Sequence, residues 1–353
     1  MFFSRSKPIV GLDIGTSSVK AAVLKARGRG RGYALTHFAV EPLPSEVIVE
    51  GSIMDSGPVV EAINRVCAAG GIRHNEVAVS LSGHSVIVKR VSIPSMTEEE
   101  LAESIHWEAE QYIPFDVEDV NIDYQILGDV EEQKDQMDVL LVAVKKDKIN
   151  DYTSVISQAG RIPVVVDVDV FAVQNIFEIN YEQVPDETVA LINMGAAVTN
   201  VAILNSGNPQ FWRDLSVGGN QYTEALQREL GVSFEEAEDA KMGKVAEISA
   251  EQTEPILSSV TQEVVSEIQK TVDFYLSSNS DEQLDRVVLS GGGTRLESLP
   301  GALTERFDCD VEHLDPFRSV TPDGRHIPQE SLQELASSAA VAVGLATRKV
   351  GDK

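Results

Sequence analysis

Two stretches of this chain carry residue types suited to holding phosphate, and they superpose at a constant offset of 180 residues. Ile9 to Leu24 and Val189 to Leu204 each read as a β-branched apolar strand, a tight turn at a Gly, and a second strand alternating small or polar with apolar residues. A turn built on Gly lets backbone N–H groups approach an anion where a Cβ would obstruct. Gly15, Thr16, Ser17 and Ser18 combine that open backbone with hydroxyl donors, and Lys20 in the return strand is either a cation for phosphate or an exposed strand lysine. The second copy turns on Gly195 and Ala196. The copies differ where chemistry would sit, with Asp13 in the first and Asn193 in the second. A third cluster, Gly291, Gly292 and Gly293, follows a short apolar strand and is closed by Arg295, beside which a base could stack.

One Gly hairpin is a weak signal, whereas two in register with a triple Gly point to two related lobes facing a shared ligand. Neither GxGxxG nor GxxxxGK[ST] is present, so the Rossmann and P-loop solutions are set aside. The six His residues form no HExxH or other ligand spacing, and no His, Ser or Cys constellation points to nucleophilic catalysis.

The bulk numbers agree with two lobes. At 353 residues and 42% hydrophobic content the chain can bury a large core. A net charge of −27 repels polyanions over the whole surface, which argues against nucleic acid as a partner and favours neutral or basic ones. The basic run Lys25 to Gly32 reads as a solvated, Gly-interleaved connection rather than an anion patch. Cys67 and Cys309 form no CxxC, so neither a disulfide framework nor a zinc site is expected. No apolar run approaches the roughly 20 residues that span a bilayer, and Met1 to Pro8 lacks a signal-peptide core, so a cytoplasmic protein without membrane insertion is expected.

The elements that must position these residues follow from periodicity. After the first hairpin come a strand from Tyr33 to Val40 and a helix from Val59 to Ala69, stopped at Gly70 and Gly71. Between about 85 and 168 the pattern is strand, helix, two strands, helix, strand. Its first helix is opened by a capping box, Thr97 with Glu100. In the second half, helices are expected from Gln221, over Glu235 to Gly243 and over Glu254 to Ser278. In the last, Ile256, Val260, Val264, Ile268, Val272 and Leu276 recur every fourth residue as a core-facing stripe. A short strand, Arg286 to Leu289, feeds the triple Gly, and an Ala-rich helix spans about Leu332 to Arg348.

This combination resembles the actin-like ATPase superfamily, an α/β fold of two duplicated lobes around a nucleotide cleft. The Asp13 and Asn193 hairpins resemble its two phosphate motifs, and Asp169 to Ala172 its first interdomain connector, whose acidic residue positions water. Leu215 to Asn220 resembles the Gly-Gly turn before the helix of the second half, bringing in Gly218 and Gly219. Glu238 and Lys241 resemble a helical pair at adenosine, Gly291 to Arg295 the adenosine loop, and Ala336 to Ala346 the second connector helix. An extra subdomain before the first connector marks the FtsA-like branch. Val91 to Pro94, the Thr97 helix and Glu110 to Phe115 are most similar to the PilM family of type IV pilus assembly proteins.

The resemblance implies a first lobe at 1–84, an inserted subdomain at 85–168, a connector at 169–188, a second lobe at 189–335 and a returning helix and tail at 336–353. It implies ATP and Mg²⁺ as cofactors, with Asp13 holding the metal through water, and a cytoplasmic adaptor that captures the N-terminal peptide of the inner-membrane protein PilN beside other pilus assembly proteins. Asn at 193, where the superfamily usually has Asp, brings no charge to the metal or nucleophile, so hydrolysis is expected to be slow or absent. Asp169 is the remaining candidate for orienting water, one methylene shorter than the Glu of active relatives. The alternatives are an FtsA-like self-associating filament protein and, less favoured, a small-molecule kinase.

Overall fold

The computed structural model describes residues 8–28, 32–130, 133–245, 247–323, 327 and 329–352. Residues 29–31 of the basic run lie outside the described residues.

The first lobe begins with β1 (Val10–Ile14), β2 (Ser18–Ala26) and β3 (Tyr33–Pro42), an antiparallel meander. A two-strand ribbon, β4 (Ile48–Val49) and β5 (Ser52–Ile53), leads to α1 (Ser56–Ala69), which buries Val59, Ala62, Ile63, Val66 and Cys67. Asp55 caps α1 by accepting from the Gly57 N–H, and Gly71, at φ +63°, turns the chain out of it. Next comes β6 (Glu76–Leu81), parallel to β1.

The insertion follows as β7 (Val86–Pro94), α2 (Glu98–Ala109), β8 (Val120–Val130) and β9 (Gln133–Lys145), a three-stranded antiparallel sheet in the order β7-β9-β8. It has its own small core, with Leu101, Ile105 and Ala109 of α2 packed on Val91, Ile93, Val139 and Leu141. The expected capping box is made: Glu100 accepts from the Thr97 N–H at 2.8 Å while its own N–H donates to Thr97 Oγ1 at 3.2 Å.

The insertion ends sooner than the sequence suggested. In α3 (Lys146–Gln158), Tyr152, Val155 and Ile156 join the core of the first lobe, and β10 (Ile162–Val168) pairs in parallel with β6 rather than with the inserted strands. The expected boundary at 168 therefore moves back to about 145. A strand as apolar as Val164-Val165-Val166 needs a sheet to join, and β6 offers the free edge.

A connecting helix, α4 (Asp169–Asn180), leads to the second meander of β11 (Thr188–Met194), β12 (Thr199–Asn205) and β13 (Asn208–Leu215). Then come α5 (Gly219–Leu230), α6 (Phe234–Lys241), α7 (Ala250–Ser278), β14 (Arg286–Ser290), α8 (Ser298–Phe307) and β15 (Asp310–His313). In α7 the four-residue stripe does face the core: Val260, Val264, Ile268 and Val272 are buried, with Ile256 and Leu276 packed at its margin.

The two large sheets share one plan. The order β3-β2-β1-β6-β10 in the first lobe matches β13-β12-β11-β14-β15 in the second, with the fourth strand parallel to the first in each. The first sheet has one strand more, β16 (Val320–Pro322), which pairs in parallel with β3 although it follows the whole second lobe in sequence. The sheet of the second lobe thus ends at His313, and the chain is back on the first lobe at Val320 rather than at 336, because β16 pairs with β3.

The last helix, α9 (Gln329–Leu345), packs against β1 and α4 through glycine. A Cβ on Gly344 would overlap the Ala172 carbonyl oxygen, and one on Gly11 the Ala342 carbonyl oxygen. Among the described residues, no helix is long and apolar enough to cross a membrane.

Candidate functional site

Each hairpin turn is closed by one backbone bond at the equivalent place, Gly15 N–H to Ser18 O at 3.1 Å and Gly195 N–H to Val198 O at 2.9 Å. Both turns open into one cleft of about 490 Å³ between the lobes, within the size range of ligand sites. Gly15, Thr16, Ser17, Ser18 and Lys20 line it from one side; Asn193, Gly195, Ala196 and Gly219 line it from the other. Glu238, Lys241, Gly291, Gly292, Gly293 and Arg295 line its far end, together with Phe234, Lys244 and Ser338, which the sequence reading did not single out. Gly218 does not line it. Its place is behind the second turn, so close that a Cβ would meet the Ala196 carbonyl oxygen at 2.5 Å.

Local packing explains the glycines of the third loop. Gly291 has φ +91°, a conformation that disfavours any side chain, and a Cβ on Gly293 would stand 2.7 Å from Met194 Cγ. The loop can therefore fold down onto the end of β11 and bring its backbone beside the second turn. That turn also seats α5: Gly219 N–H donates to Gly195 O at 3.0 Å and Asn220 N–H to Ala196 O at 2.8 Å. These bonds satisfy two helix-start amides that no side chain caps.

The asymmetry noted between Asp13 and Asn193 extends to their cross-strand partners. In β1 and β2, Asp13 stands opposite Lys20, and the two form an ion pair at 3.1 Å. In β11 and β12, Asn193 stands opposite Asn200, and its Nδ2 donates to Asn200 Oδ1 at 2.8 Å. One copy holds a charged pair and the other a neutral one at the same register position. Asn193 is tied on both sides, because its Oδ1 accepts from Ser290 Oγ at 3.1 Å.

Asp169 begins α4 at the floor of the cleft and accepts from Ser80 Oγ. Burial pushes its carboxyl up to about 6, and the nearby Asp13 charge adds to the rise, against the hydroxyls of Ser80 and Ser82. Two further charged groups lie beneath the cleft. Lys148 of α3 is buried, donates to Ser82 O at 3.2 Å, and is pushed down in pKa by burial despite Asp169 and Asp214. Asp214 of β13 is pushed up by burial. Neither was legible in the sequence, where each is one charge in an ordinary amphipathic element. Asn200 was not singled out either, although its offset of 180 residues from Lys20 is a signal by which it could have been found.

Lys241 donates to Thr223 Oγ1 at 2.8 Å, to Gly219 O at 3.2 Å and to the Glu238 carboxylate, tying α6 to the first turn of α5. From the basic run, Arg27 donates to Thr321 Oγ1 at 3.1 Å, a contact to β16 that fits a structural connection.

The donor set suits a nucleoside phosphate: bare backbone at three Gly turns, hydroxyls at Thr16, Ser17 and Ser18, and Lys and Arg cations at the rim. Among the described residues, no three His, Cys, Asp or Glu side chains gather as a metal site. Asp13, with Asp169 nearby, offers the one or two carboxylates with which Mg²⁺ is held when phosphate and water complete its shell.

A family model described as type IV pilus assembly protein PilM matches residues 11–350. A chain of the PilM-PilN type IV pilus biogenesis complex is 27% identical, with 99% of this chain and 100% of that one covered and a TM-score of 0.87. The ethanolamine utilization protein EutJ from Carboxydothermus hydrogenoformans is 14% identical, over 98% of this chain and 93% of its own, with a TM-score of 0.55. ADP-bound MreB5 of Spiroplasma citri is 14% identical, over 96% and 94%, with a TM-score of 0.52. The fold is thus the actin-like ATPase fold.

Proposed function

The chain belongs to the type IV pilus assembly protein PilM family, and from that premise we propose that it is a nucleotide-binding adaptor of pilus assembly whose partner is PilN. The observation that carries this reading is the match to a chain of the PilM-PilN complex, which runs end to end and includes the inserted subdomain. The partner segment is the N-terminal cytoplasmic peptide of PilN, and the adaptor works at the cytoplasmic side of the inner membrane through that contact.

ATP occupies the cleft between the two hairpins, its phosphates taken by the turns at Gly15 and Gly195 and its base by the end near Arg295. Asp13 would hold Mg²⁺, which when bound would supply charge neutralisation at the phosphates. Lys20 already pairs with Asp13, so cation and carboxylate are positioned together at the phosphate end. Asp169 is the group to orient water, and a carboxyl pushed up to about 6 has the basicity for that role. Asn193 contributes no charge, and both ends of its amide are engaged within the lobe. Hydrolysis is therefore slow, and nucleotide serves to hold the two lobes at a fixed angle.

The deciding experiment is calorimetry with a peptide of the PilN N-terminus under saturating Mg·ATP. Saturable 1:1 binding is expected, and absence of binding to the folded, nucleotide-loaded protein would remove the adaptor reading. Turnover is the second measurement: the ~10 per second typical of metabolic enzymes would contradict the role given to Asn193. A gain in turnover on Asn193→Asp would identify the missing carboxylate as limiting.

A further inference from the structure

Among the described residues, the inserted subdomain and the segment that leads into it meet the second lobe at β13 and the residue after it, through three polar contacts. Arg90 of β7 donates to the Gln210 side chain, His84 Nε2 and Ser216 Oγ share a hydrogen bond of 2.8 Å, and the Gly83 N–H donates to Asp214 Oδ2 at 2.6 Å. Only the last continues inward. Asp214 Oδ1 accepts from Asn200 Nδ2 at 2.8 Å, Asn200 Oδ1 accepts from Asn193 Nδ2 at 2.8 Å, and Asn193 Oδ1 accepts from Ser290 Oγ at 3.1 Å. The direction of every bond in the chain is fixed, because a carboxylate at one end can only accept and each amide then has one orientation that fits.

Gly83 stands at the root of the insertion. It has φ +84°, its N–H is held by the second lobe, and its carbonyl oxygen accepts from the N–H of Val86, the first residue of β7. The preceding residue, Ser82, lines the cleft and receives Lys148 on its carbonyl oxygen. The peptide that launches β7 is therefore clamped between the lobes, and the clamp leads to two cleft-lining side chains, Asn193 and Asn200.

We propose that Asp214 is a positioning residue that couples nucleotide in the cleft to the orientation of the inserted subdomain, through the chain Asn193, Asn200, Asp214 and Gly83. The proposal rests on the nucleotide reading of the cleft given above. Asp214 is the one member whose bond crosses between the lobes, so separating the hairpins breaks the chain at Gly83 and frees the root of β7. A nucleotide that favours the closed arrangement stabilises this bond. By reciprocity, a partner that fixes the inserted subdomain tightens nucleotide by the same factor. The long side chains of Arg90 and Gln210 make a second bridge, but Gln210 leads to no cleft residue.

Hydrogen exchange on the full chain, with and without saturating Mg·ATP, tests this at the amides of residues 83–94. In the wild type, exchange is expected to slow about tenfold or more on nucleotide binding. Asp214→Asn keeps the shape but sets a donor or a single acceptor where two bonds must be received. It should retain nucleotide binding by calorimetry while its nucleotide-dependent protection falls below about twofold. Asn200→Ala, which cuts the chain one step earlier and leaves Asp214 with Gly83, should show the same loss and serves if Asp214→Asn does not fold. Gln210→Ala should keep the tenfold response. Full protection in both Asp214→Asn and Asn200→Ala, or an equal loss in Gln210→Ala, overturns the proposal. So does a wild type that binds nucleotide with no change at 83–94. Failure of the wild type to bind nucleotide at all removes the cleft reading itself, and this one with it.

Discussion

Asp169 carries a cost that pH can reveal. Its carboxyl has an ordinary value of 3.8 in the unfolded chain and about 6 in the fold. Between those values the folded protein keeps a proton that the unfolded chain has released, so stability falls as pH rises through that window and stays lower above it. The cost at neutral pH is at most about 3 kcal/mol for a shift of this size. Asp169→Asn is expected to melt higher than wild type at pH 7.5, with the gap closing near pH 4; an equal gap at both pH values would show that the gain came from packing alone. Asn193→Asp should act the other way. It removes the Nδ2 donor to Asn200 and brings a second carboxylate toward Asp214, a loss of about 1–3 kcal/mol. A lower melting temperature at pH 7.5 is the expected reading, independent of any change in turnover.

Among the elements, the seam between α9 and its neighbours is the most exacting. Gly344 and Gly11 let helix backbone approach the Ala172 carbonyl and β1 more closely than any Cβ permits. Gly344→Ala is expected to destabilise by several kcal/mol, at or above the usual 1–3 kcal/mol of overpacking, and urea unfolding would measure it. Gly301→Ala, in open space on α8, should change stability by less than about 1 kcal/mol. The helices α1, α2 and α7 are legible because each buries one face at the helical period and carries its own stop or cap, and the two hairpins, buried on both faces, are legible as β-branched apolar runs broken at a Gly turn. The sequence did not reveal β16 or where β10 belongs. A strand of three residues, Val320-Thr321-Pro322, is too short to show a period, and β10 is placed by the free edge of β6 rather than by anything in its own residues. The site divides in the same way. The turn glycines, Asp13, Asn193 and Asp169 follow from local motifs, whereas Lys148 and Asp214 matter only because separate elements bring them together beneath the cleft.

For the whole molecule, two forces act on the angle between the lobes. A net charge of −27 on 353 residues repels itself, so raising NaCl from 0.05 to 0.5 M is expected to raise the melting temperature, and a fall would be contrary to this account. Nucleotide acts by linkage: Mg·ATP at a hundred times its Kd should add about 2.7 kcal/mol to stability, read as a rise in melting temperature that Mg²⁺ alone does not give. Connectivity adds a constraint of its own. Between Pro42, where β3 ends, and Val320, where its outer neighbour begins, the chain contains the insertion and the entire second sheet. On a ribosome, which delivers residues in order at about 5–20 per second, the first lobe must wait for the second to be made before its own sheet can be finished. The start of its β3 edge is a timed vulnerability in biogenesis, because Tyr33 to Leu35 are paired by the last strand to arrive.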